Sequence, residues 1–292
     1  MSALRAWWLA IRPKTLSAAA VPVVVGTAAA AALDRVAWWP AIAAMVGALA
    51  IQVGTNFAND VFDFEQGADR EDRLGPQRAV ASGLIAPRAM RLGMGVAFGT
   101  AFLTGVYLVT VGGWPIVVIG LASIASGIFY TASRYSLAYL GLGDLFVLVF
   151  FGFVAVGGTF YVQVQSLVPW VLWAALPIGA WATNIIVVNN LRDRSTDAKA
   201  GKKTLAVRFG RRFSLVQYGL LGGVAYLVPV GFVVAGWSPW LLAPWISLPE
   251  AGSTLRGVVR AEGKALNPYL GRTARMLVLF GLPWAAALAF SR

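Results

Sequence analysis

Long apolar runs separated by shorter polar segments recur along the chain from Leu16 almost to its end. A run of about 18 or more apolar residues is long enough for a helix to cross the hydrocarbon core of a bilayer. The pattern therefore predicts an all-α polytopic membrane protein, one integral membrane domain over residues 1–292, with nine transmembrane helices. The predicted spans are 16–33, 38–58, 91–111, 115–132, 145–163, 168–190, 213–235, 237–249 and 274–290. The eighth span is the weakest, because it is short and rich in proline.

Composition supports this prediction and limits the chemistry. Of the 292 residues, 59% are hydrophobic and 12% are charged, about half the charged share of an ordinary soluble domain. The chain has neither Cys nor His, which excludes thiolate and imidazole zinc sites, histidine-ligated haem, and Ser-His or Cys-His nucleophiles. Any catalysis must therefore use carboxylates, amides, Arg, Lys and Tyr, or a hard metal ion.

The basic residues indicate an orientation. All but two of the 24 Lys and Arg, namely Arg35 and Arg292, fall before the first span or after an even-numbered span. Cytoplasmic loops carry such an excess in membrane proteins. We therefore expect a protein of the cell membrane with its N-terminus and two large polar loops in the cytoplasm and its C-terminus outside. The same bias accounts for the net charge of +12 without nucleic acid as a partner.

Polar side chains concentrate where the second and sixth spans end. The second span ends in Asn56, Asn59, Asp60 and Asp63, and the sixth ends in Asn189, Asn190, Arg192, Asp193 and Asp197. Both contain the pattern N-x-x-x-D, whose two side chains share one face of a helix. The two spans run in the same direction, so we expect the two clusters to meet at the cytoplasmic side.

Acids at the C-terminus of a helix are disfavoured by the helix dipole unless a cation is present. A set of ligands that offers only oxygen atoms suits Mg²⁺, which commonly shares its coordination with a phosphate. Two such ions can neutralise a diphosphate and stabilise it as a leaving group. The basic residues beside the second cluster would contact the remaining phosphate oxygens. The residues therefore predict a site for magnesium and a diphosphate.

Four segments stand out as long motifs: RPKTLSAAAVPVVVGTA, QVGTNFANDVFDFEQGADREDRLGPQRAVASGLI, YLGLGDLFVLVFFGFVAVGGTFY and NNLRDRSTDAKAGKKTLAVRFG. They resemble the UbiA superfamily of membrane prenyltransferases, and most of all its 1,4-dihydroxy-2-naphthoate polyprenyltransferase branch, which serves menaquinone biosynthesis. The resemblance covers nearly the whole chain. It implies a bundle of nine helices around a central cavity, with two Asp-rich loops that hold Mg²⁺ and a polyprenyl diphosphate.

The resemblance also implies which residues act. Asn56, Asp60 and Asp63 match the first motif of the family, and Asp193 and Asp197 match the second, so these five are the candidate catalytic residues. The superfamily pattern places an aspartate four residues after Asp63, where this chain has Gly67. Asp69 follows two positions later, a longer spacing that the dihydroxynaphthoate branch shares. The expected metal ligands are Asn56, Asp60, Asp63, Asp69, Asp193 and Asp197.

The reaction implied by the resemblance transfers a polyprenyl chain to 1,4-dihydroxy-2-naphthoate, with loss of CO₂ and diphosphate, giving demethylmenaquinol. Arg12 and Lys14 are expected near the acceptor carboxylate. Asp144 either binds or deprotonates the acceptor phenol, or it is only an acid favoured at the start of a helix. The ring faces of the tyrosines either support an allylic cation or anchor the helix end at the membrane interface. The candidates for contacts with the two substrates are Arg12, Lys14, Asn59, Asp69, Arg78, Tyr130, Arg134, Tyr139, Asp144, Asn189, Arg192 and Lys202.

Two alternatives remain. A related enzyme would keep the fold and prenylate another aromatic acceptor, such as 4-hydroxybenzoate. A secondary transporter would use intramembrane acids to carry ions, but its acids are expected near the middle of helices, whereas these lie at helix ends. The sequence sets neither the isoprenoid chain length nor the oligomeric state.

Overall fold

The computed structural model describes residues 2–65, 74–75, 78–129 and 140–291, and its regular elements are all helices. We number the α-helices α1 (Ala3–Ile11), α2 (Pro13–Ala31), α3 (Trp38–Glu65), α4 (Pro87–Gly112), α5 (Trp114–Phe129), α6 (Gly143–Val164), α7 (Pro169–Lys199), α8 (Leu205–Val234), α9 (Leu248–Arg260) and α10 (Asn267–Ala289). The all-α prediction is confirmed.

Six of the described helices, α2, α3, α4, α6, α7 and α8, are long and apolar enough to cross a membrane. α5 is apolar but shorter, and α10 carries two arginines near its start. The predicted count of nine transmembrane helices is therefore not established by length and hydropathy. The apolar runs nevertheless locate the helices well, because each long run lies within one observed helix or overlaps most of it.

The helices that carry the acidic clusters continue beyond the apolar runs. α3 extends to Glu65 and α7 to Lys199, whereas the predicted spans end at residues 58 and 190. The acidic and amide side chains therefore stand on the last turns of regular helices rather than on loops. This matters for the site, because a helix fixes which neighbouring positions share a face.

Residues 237–249 do not form the continuous α-helix that the sequence predicts. Pro239–Ser247 is a 3₁₀-helix that contains Pro244, and the α-helix α9 begins only at Leu248. Proline removes a backbone donor and disfavours a continuous α-helix. The segment packs along α8 instead, where the Trp245 Nε1–H donates to the carbonyl oxygen of Tyr226 at 3.2 Å.

The apolar pattern also does not reveal α1. Arg12, with φ of 54° and ψ of 68°, separates α1 from α2. A left-handed conformation is uncommon for a residue with a side chain. The break ends α1 at Ile11 and starts α2 at Pro13, a residue favoured at the beginning of a helix.

A tightly packed core joins α2, α6, α7 and α10. A Cβ atom added to Gly26 of α2 would lie 2.5 Å from the Val156 carbonyl oxygen of α6, and one added to Gly281 of α10 would lie 2.3 Å from Val21 Cγ1. Small residues allow this close approach of helices in lipid. Trp284 is fully buried here and donates from Nε1 to the Ala174 carbonyl oxygen at 3.0 Å. These four helices therefore form the rigid side of the bundle.

Candidate active site

A cavity of about 2000 Å³ runs through the bundle. At one end it is lined by polar residues from the last turns of α3 and α7 and from the start of α2, and further along by apolar residues from α2 to α7. Drug-sized ligands occupy pockets of roughly 300–1000 Å³. This cavity is therefore large enough for a long ligand or for two ligands together.

Three residues at the end of α3 line the polar end of the cavity: Asn56, Asn59 and Asp63. Their spacing of three and four residues places them on one face of the helix. Asp60 is not part of the cavity wall. It is 1% exposed, and its carboxylate accepts hydrogen bonds from the backbone N–H of Ala79 (3.1 Å) and of Val80 (3.0 Å).

The turn that binds Asp60 also presents a cation. Arg78 forms a buried ion pair with the carboxylate of Asp63, and both residues line the cavity. The Ser82 N–H donates to the Arg78 carbonyl oxygen at 3.1 Å, so the chain turns back directly after this arginine. Asp60 therefore holds the backbone of the turn, while its neighbour Asp63 binds the side chain that the turn carries into the cavity.

The second cluster is also built from acids paired with bases. The buried Arg192 guanidinium donates from Nε to Asp193 Oδ1 at 2.8 Å, from Nη2 to Asp193 Oδ2, and from Nη2 to Asn189 Oδ1 at 2.9 Å. One turn further along α7, Asp197 forms an ion pair of 3.6 Å with Lys202. All five of these residues line the cavity.

Asn267 links the second cluster to the segment between α3 and α4, and the sequence offered no signal for it. Its Oδ1 accepts from Arg192 Nη1 at 3.1 Å, and its Nδ2 donates to the carbonyl oxygen of Leu74 at 3.0 Å. Leu74 belongs to the segment that follows α3, so the ends of α3 and α7 lie at the same end of the bundle. Members of both acidic clusters line the same cavity, which agrees with the expectation that the two clusters lie close together.

The start of α2 forms a third wall of the polar end. The Asn56 amide donates to the carbonyl oxygen of Ile11 (2.8 Å) and to Thr15 Oγ1 (3.0 Å), and Gln52 Nε2 donates to the same hydroxyl at 3.4 Å. These contacts hold the segment that contains Arg12 and Lys14, and both of these cations line the cavity. Thr15 and Gln52 are supporting residues that the sequence did not single out.

Asp144 supports the site from behind. It is 5% exposed and does not line the cavity. Its carboxylate accepts hydrogen bonds from Asn190 Nδ2 at 3.1 Å and from Gln217 Nε2 at 2.8 Å. Asn190 does line the cavity. Asp144 therefore ties α6 to α7 and α8 and orients Asn190.

The side chains at the polar end fit a hard cation only with help from a ligand. Asn59, Asp63, Asn189, Asp193 and Asp197 offer amide and carboxylate oxygens, which Mg²⁺ prefers. Within the described ranges, however, no three acids are grouped closely enough to hold a metal ion by themselves. Mg²⁺ typically takes one or two carboxylates together with substrate phosphates, and this arrangement suits that mode of binding.

Four predicted site residues fall outside the described residues: Asp69, Tyr130, Arg134 and Tyr139. Of the other thirteen, eleven line the cavity, and Asp60 and Asp144 lie directly behind its wall. The roles of all these residues in binding metal or substrate stay predictions.

Comparison with known proteins agrees with this geometry. A family model described as "UbiA prenyltransferase family" matches residues 19–256. The chain is 38% identical to a 1,4-dihydroxy-2-naphthoate octaprenyltransferase of Mycobacterium tuberculosis, over 100% of this chain and 99% of the relative. It is 32% identical to the enzyme of the same name from Escherichia coli, over 100% and 97% of the two chains.

Solved structures share the fold. A UbiA homolog from Archaeoglobus fulgidus superposes with a TM-score of 0.64 at 14% identity, over 97% of this chain and 99% of that chain. The same homolog bound to GPP and Mg²⁺ gives a TM-score of 0.60 at 16% identity, over 96% and 99% of the two chains.

Proposed function

The chain belongs to the UbiA prenyltransferase family, and we infer that it transfers a polyprenyl chain from polyprenyl diphosphate to 1,4-dihydroxy-2-naphthoate. The products are demethylmenaquinol, CO₂ and diphosphate. Five relatives that bear the name of this octaprenyltransferase are 32% to 38% identical to the chain, over most or all of its length. The chain is accordingly an integral membrane enzyme.

One observation carries this function. A single cavity joins a polar end, which holds the acids and bases of both clusters, to a long apolar compartment. A polyprenyl diphosphate has the same two parts, a highly charged head and a long hydrocarbon tail. The volume of about 2000 Å³ also leaves room for an aromatic acceptor beside the donor.

The basic residues of the polar end would bind the diphosphate. Arg78, Arg192 and Lys202 lie on the cavity wall, each beside an acid. Arginine recognises phosphate oxygens through its planar fork. As the C–O bond breaks, its electron pair leaves with the diphosphate, and fixed cations around the head group stabilise the negative charge that develops there.

Mg²⁺ would be held by Asp63, Asp193 and Asp197 together with Asn59 and the donor's phosphate oxygens, and when bound it neutralises the leaving group. We propose two ions, one for each acidic cluster. UbiA homologs bound to DMAPP or GPP with Mg²⁺ support a divalent metal in this family. The pairing of each cavity-facing acid with a base offsets the charge of these acids before the donor and metal enter.

The acceptor would lie against the start of α2. Its carboxylate needs a cation, and Arg12 and Lys14 line the cavity there. A ring carbon of the acceptor bonds to the first carbon of the prenyl chain, and departure of the carboxyl group as CO₂ accompanies the return of the aromatic ring. The overall reaction needs no oxidant and no further reactant. The apolar compartment excludes water that would quench the allylic cation.

We further propose that the polar end faces the cytoplasm, with the C-terminus on the other side. The distribution of Lys and Arg supports this orientation. Arg208, whose Nη2 donates to the Leu140 carbonyl oxygen at 2.8 Å, and Arg211, which pairs with Glu262 at 3.0 Å, connect segments that the charge bias assigns to the cytoplasmic side.

The function is tested by offering purified protein in lipid nanodiscs octaprenyl diphosphate and Mg²⁺ with either 1,4-dihydroxy-2-naphthoate or 4-hydroxybenzoate. We expect a prenylated, decarboxylated product from the first acceptor and none from the second, as identified by mass. A product formed only from 4-hydroxybenzoate would show that the acceptor is different, while the fold and the type of reaction stay as proposed. No product from either would contradict the transferase and favour transport.

A further inference from the structure

The residues that line the apolar compartment differ in how far they are buried. On the side of α2, α6 and α7, cavity residues such as Val23, Val162 and Ala182 are almost completely buried. On the side of α4 and α5, Val106 is 50% exposed and Leu121 is 58% exposed, although both line the same cavity. The cavity is therefore bounded on one side by the buried core and on the other by helices whose apolar side chains are also exposed on the outside of the protein.

Glycines on three helices leave space along the wall of this compartment. Gly105 of α4, Gly120 of α5 and Gly158 of α6 all line the cavity. A Cβ atom added to Gly105 or to Gly120 would meet nothing within 4 Å, and one added to Gly158 would meet only Ile119 Cδ1 of α5, at 3.8 Å. No close helix contact requires a glycine at these three positions. What the missing side chains provide is empty space inside the cavity.

The glycines lie far from the polar end. Gly105 precedes the end of α4 at Gly112 by seven residues, and Gly120 is the seventh residue of α5. At ~1.5 Å per residue both lie roughly 10 Å from the connection between the two helices, and Gly105 lies about 27 Å along α4 from Pro87. The turn that carries Arg78 leads into Pro87. If the diphosphate binds beside Arg78, only the tail of a long donor therefore reaches as far as Gly105.

We propose that Gly105, Gly120 and Gly158 determine the length of the isoprenoid chain that the enzyme accepts, by keeping a track for the distal tail open between α4, α5 and α6. The proposal rests on the proposed function, because it takes the occupant of the compartment to be the donor's tail. A side chain at any of these positions would obstruct long tails and leave short ones unaffected. The residues are specificity-determining and take no part in the chemistry at the polar end.

The structure supplies a matched control. Gly99 also lies on α4, is exposed, and has nothing within 4 Å of an added Cβ atom, but it does not line the cavity. Gly105→Phe, Gly120→Phe and Gly158→Phe are therefore compared with Gly99→Phe. Each purified variant is offered geranyl, geranylgeranyl and octaprenyl diphosphate with the same acceptor, and kcat/KM is measured for each donor.

We expect kcat/KM for octaprenyl diphosphate to fall by about tenfold or more in the cavity variants, and that for geranyl diphosphate to stay within about twofold of the parent. Gly99→Phe should keep the parent's preference. The proposal is overturned if the ratio of the two kcat/KM values is the same in the cavity variants as in Gly99→Phe, or if both donors lose activity equally.

A second measurement separates this proposal from the proposed function. A polyprenyl diphosphate that carries a photoreactive group at the end of its tail is bound to the parent protein. The complex is irradiated, and the labelled peptides are identified by mass. Labels on α4, α5 or α6 near the three glycines support the track even in a protein that shows no turnover. Labels confined to other helices overturn it even if the enzyme prenylates the expected acceptor.

Discussion

The carboxylate of Asp60 accepts a hydrogen bond from the backbone N–H of Val80 at 3.0 Å, across the chain segment that separates α3 from α4. Its other oxygen accepts from Ala79 at 3.1 Å. Three residues further along α3, Asp63 binds the side chain of Arg78 from the same turn. Two acids of one motif therefore contact one turn in different ways, the first through its backbone and the second through its cation.

This difference predicts that substitution of Asp63, but not of Asp60, changes the Mg²⁺ requirement. In Asp60→Asn the amide nitrogen would face one of the two backbone donors, and leaving a buried donor unsatisfied costs about 1–3 kcal/mol. We expect a lower thermal midpoint and a higher KM for the donor, with an unchanged Mg²⁺ requirement. Asp63→Asn should raise the Mg²⁺ concentration for half-maximal activity by about tenfold or more. An equal rise in both variants would make Asp60 a metal ligand.

The contrast between these two acids also shows which features of the site could be predicted from the sequence. The N-x-x-x-D spacing pairs Asn56 with Asp60, yet the residues that face the cavity are Asn56, Asn59 and Asp63. Asp60 lies at the edge of that face, and the turn at Ala79 and Val80 covers it. A helical repeat predicts which positions are neighbours, but which of them are covered depends on a segment that packs there from elsewhere in the chain.

Other parts of the fold followed from the sequence because lipid imposes simple rules. A helix that crosses lipid must be apolar along most of its length, so the positions of the long helices were predictable. The family was predictable from the motifs, and it is confirmed. Asn267 was not, because a single asparagine before an apolar run has many uses. The bridge from Arg192 through Asn267 to Leu74 depends on contacts between segments far apart in sequence.

The ion pair of Arg78 and Asp63 should matter for stability. Their side chains are 7% and 11% exposed, and removal of one partner leaves a buried charge, at a cost of about 3–5 kcal/mol. We expect Arg78→Ala to lower the thermal unfolding midpoint in detergent strongly. Arg91→Ala removes an exposed ion pair with Glu65 and should cost about 0–1 kcal/mol. Similar midpoints for the two variants would contradict the buried pair.

Removal of the metal should stop turnover. Excess chelator is expected to abolish product formation, and added Mg²⁺ to restore it, because the paired acids and bases cannot neutralise the leaving group alone. Asp193→Asn and Asp197→Asn should each raise the Mg²⁺ requirement by about tenfold or more. Glu65→Gln, which changes an acid at the same end of α3 that does not line the cavity, is the control and should leave it unchanged. Full activity in chelator would exclude a role for the metal.

Asp144 is expected to position Asn190 rather than to exchange a proton with the acceptor. Asp144→Asn keeps one acceptor oxygen and should retain most of kcat with an unshifted pH profile. Asp144→Ala leaves the amides of Asn190 and Gln217 without a partner, so its thermal midpoint should fall by an amount equivalent to about 1–3 kcal/mol. The discriminating measurement is the pH dependence of kcat/KM. Loss of its acidic limb in Asp144→Asn would show that Asp144 titrates during catalysis.

The rigid side of the bundle can be tested at Gly281. An added Cβ atom would lie 2.3 Å from Val21 Cγ1 of α2, and valine has little freedom to rotate within a helix. Gly281→Ala should therefore be destabilising by about 1–3 kcal/mol, measured by thermal unfolding in detergent. Gly271→Ala on the same helix meets nothing within 4 Å and should be neutral or slightly stabilising, since alanine favours helix over glycine by about 1 kcal/mol.

The clash at Gly281 also predicts a rescue. Val21→Ala removes Cγ1, so the double variant Gly281→Ala with Val21→Ala should be more stable than the sum of the two single effects predicts, by about 0.5–3 kcal/mol. Additive effects would mean that α2 and α10 adjust their separation freely. They would then not form a fixed wall opposite α4 and α5 for the compartment that holds the tail.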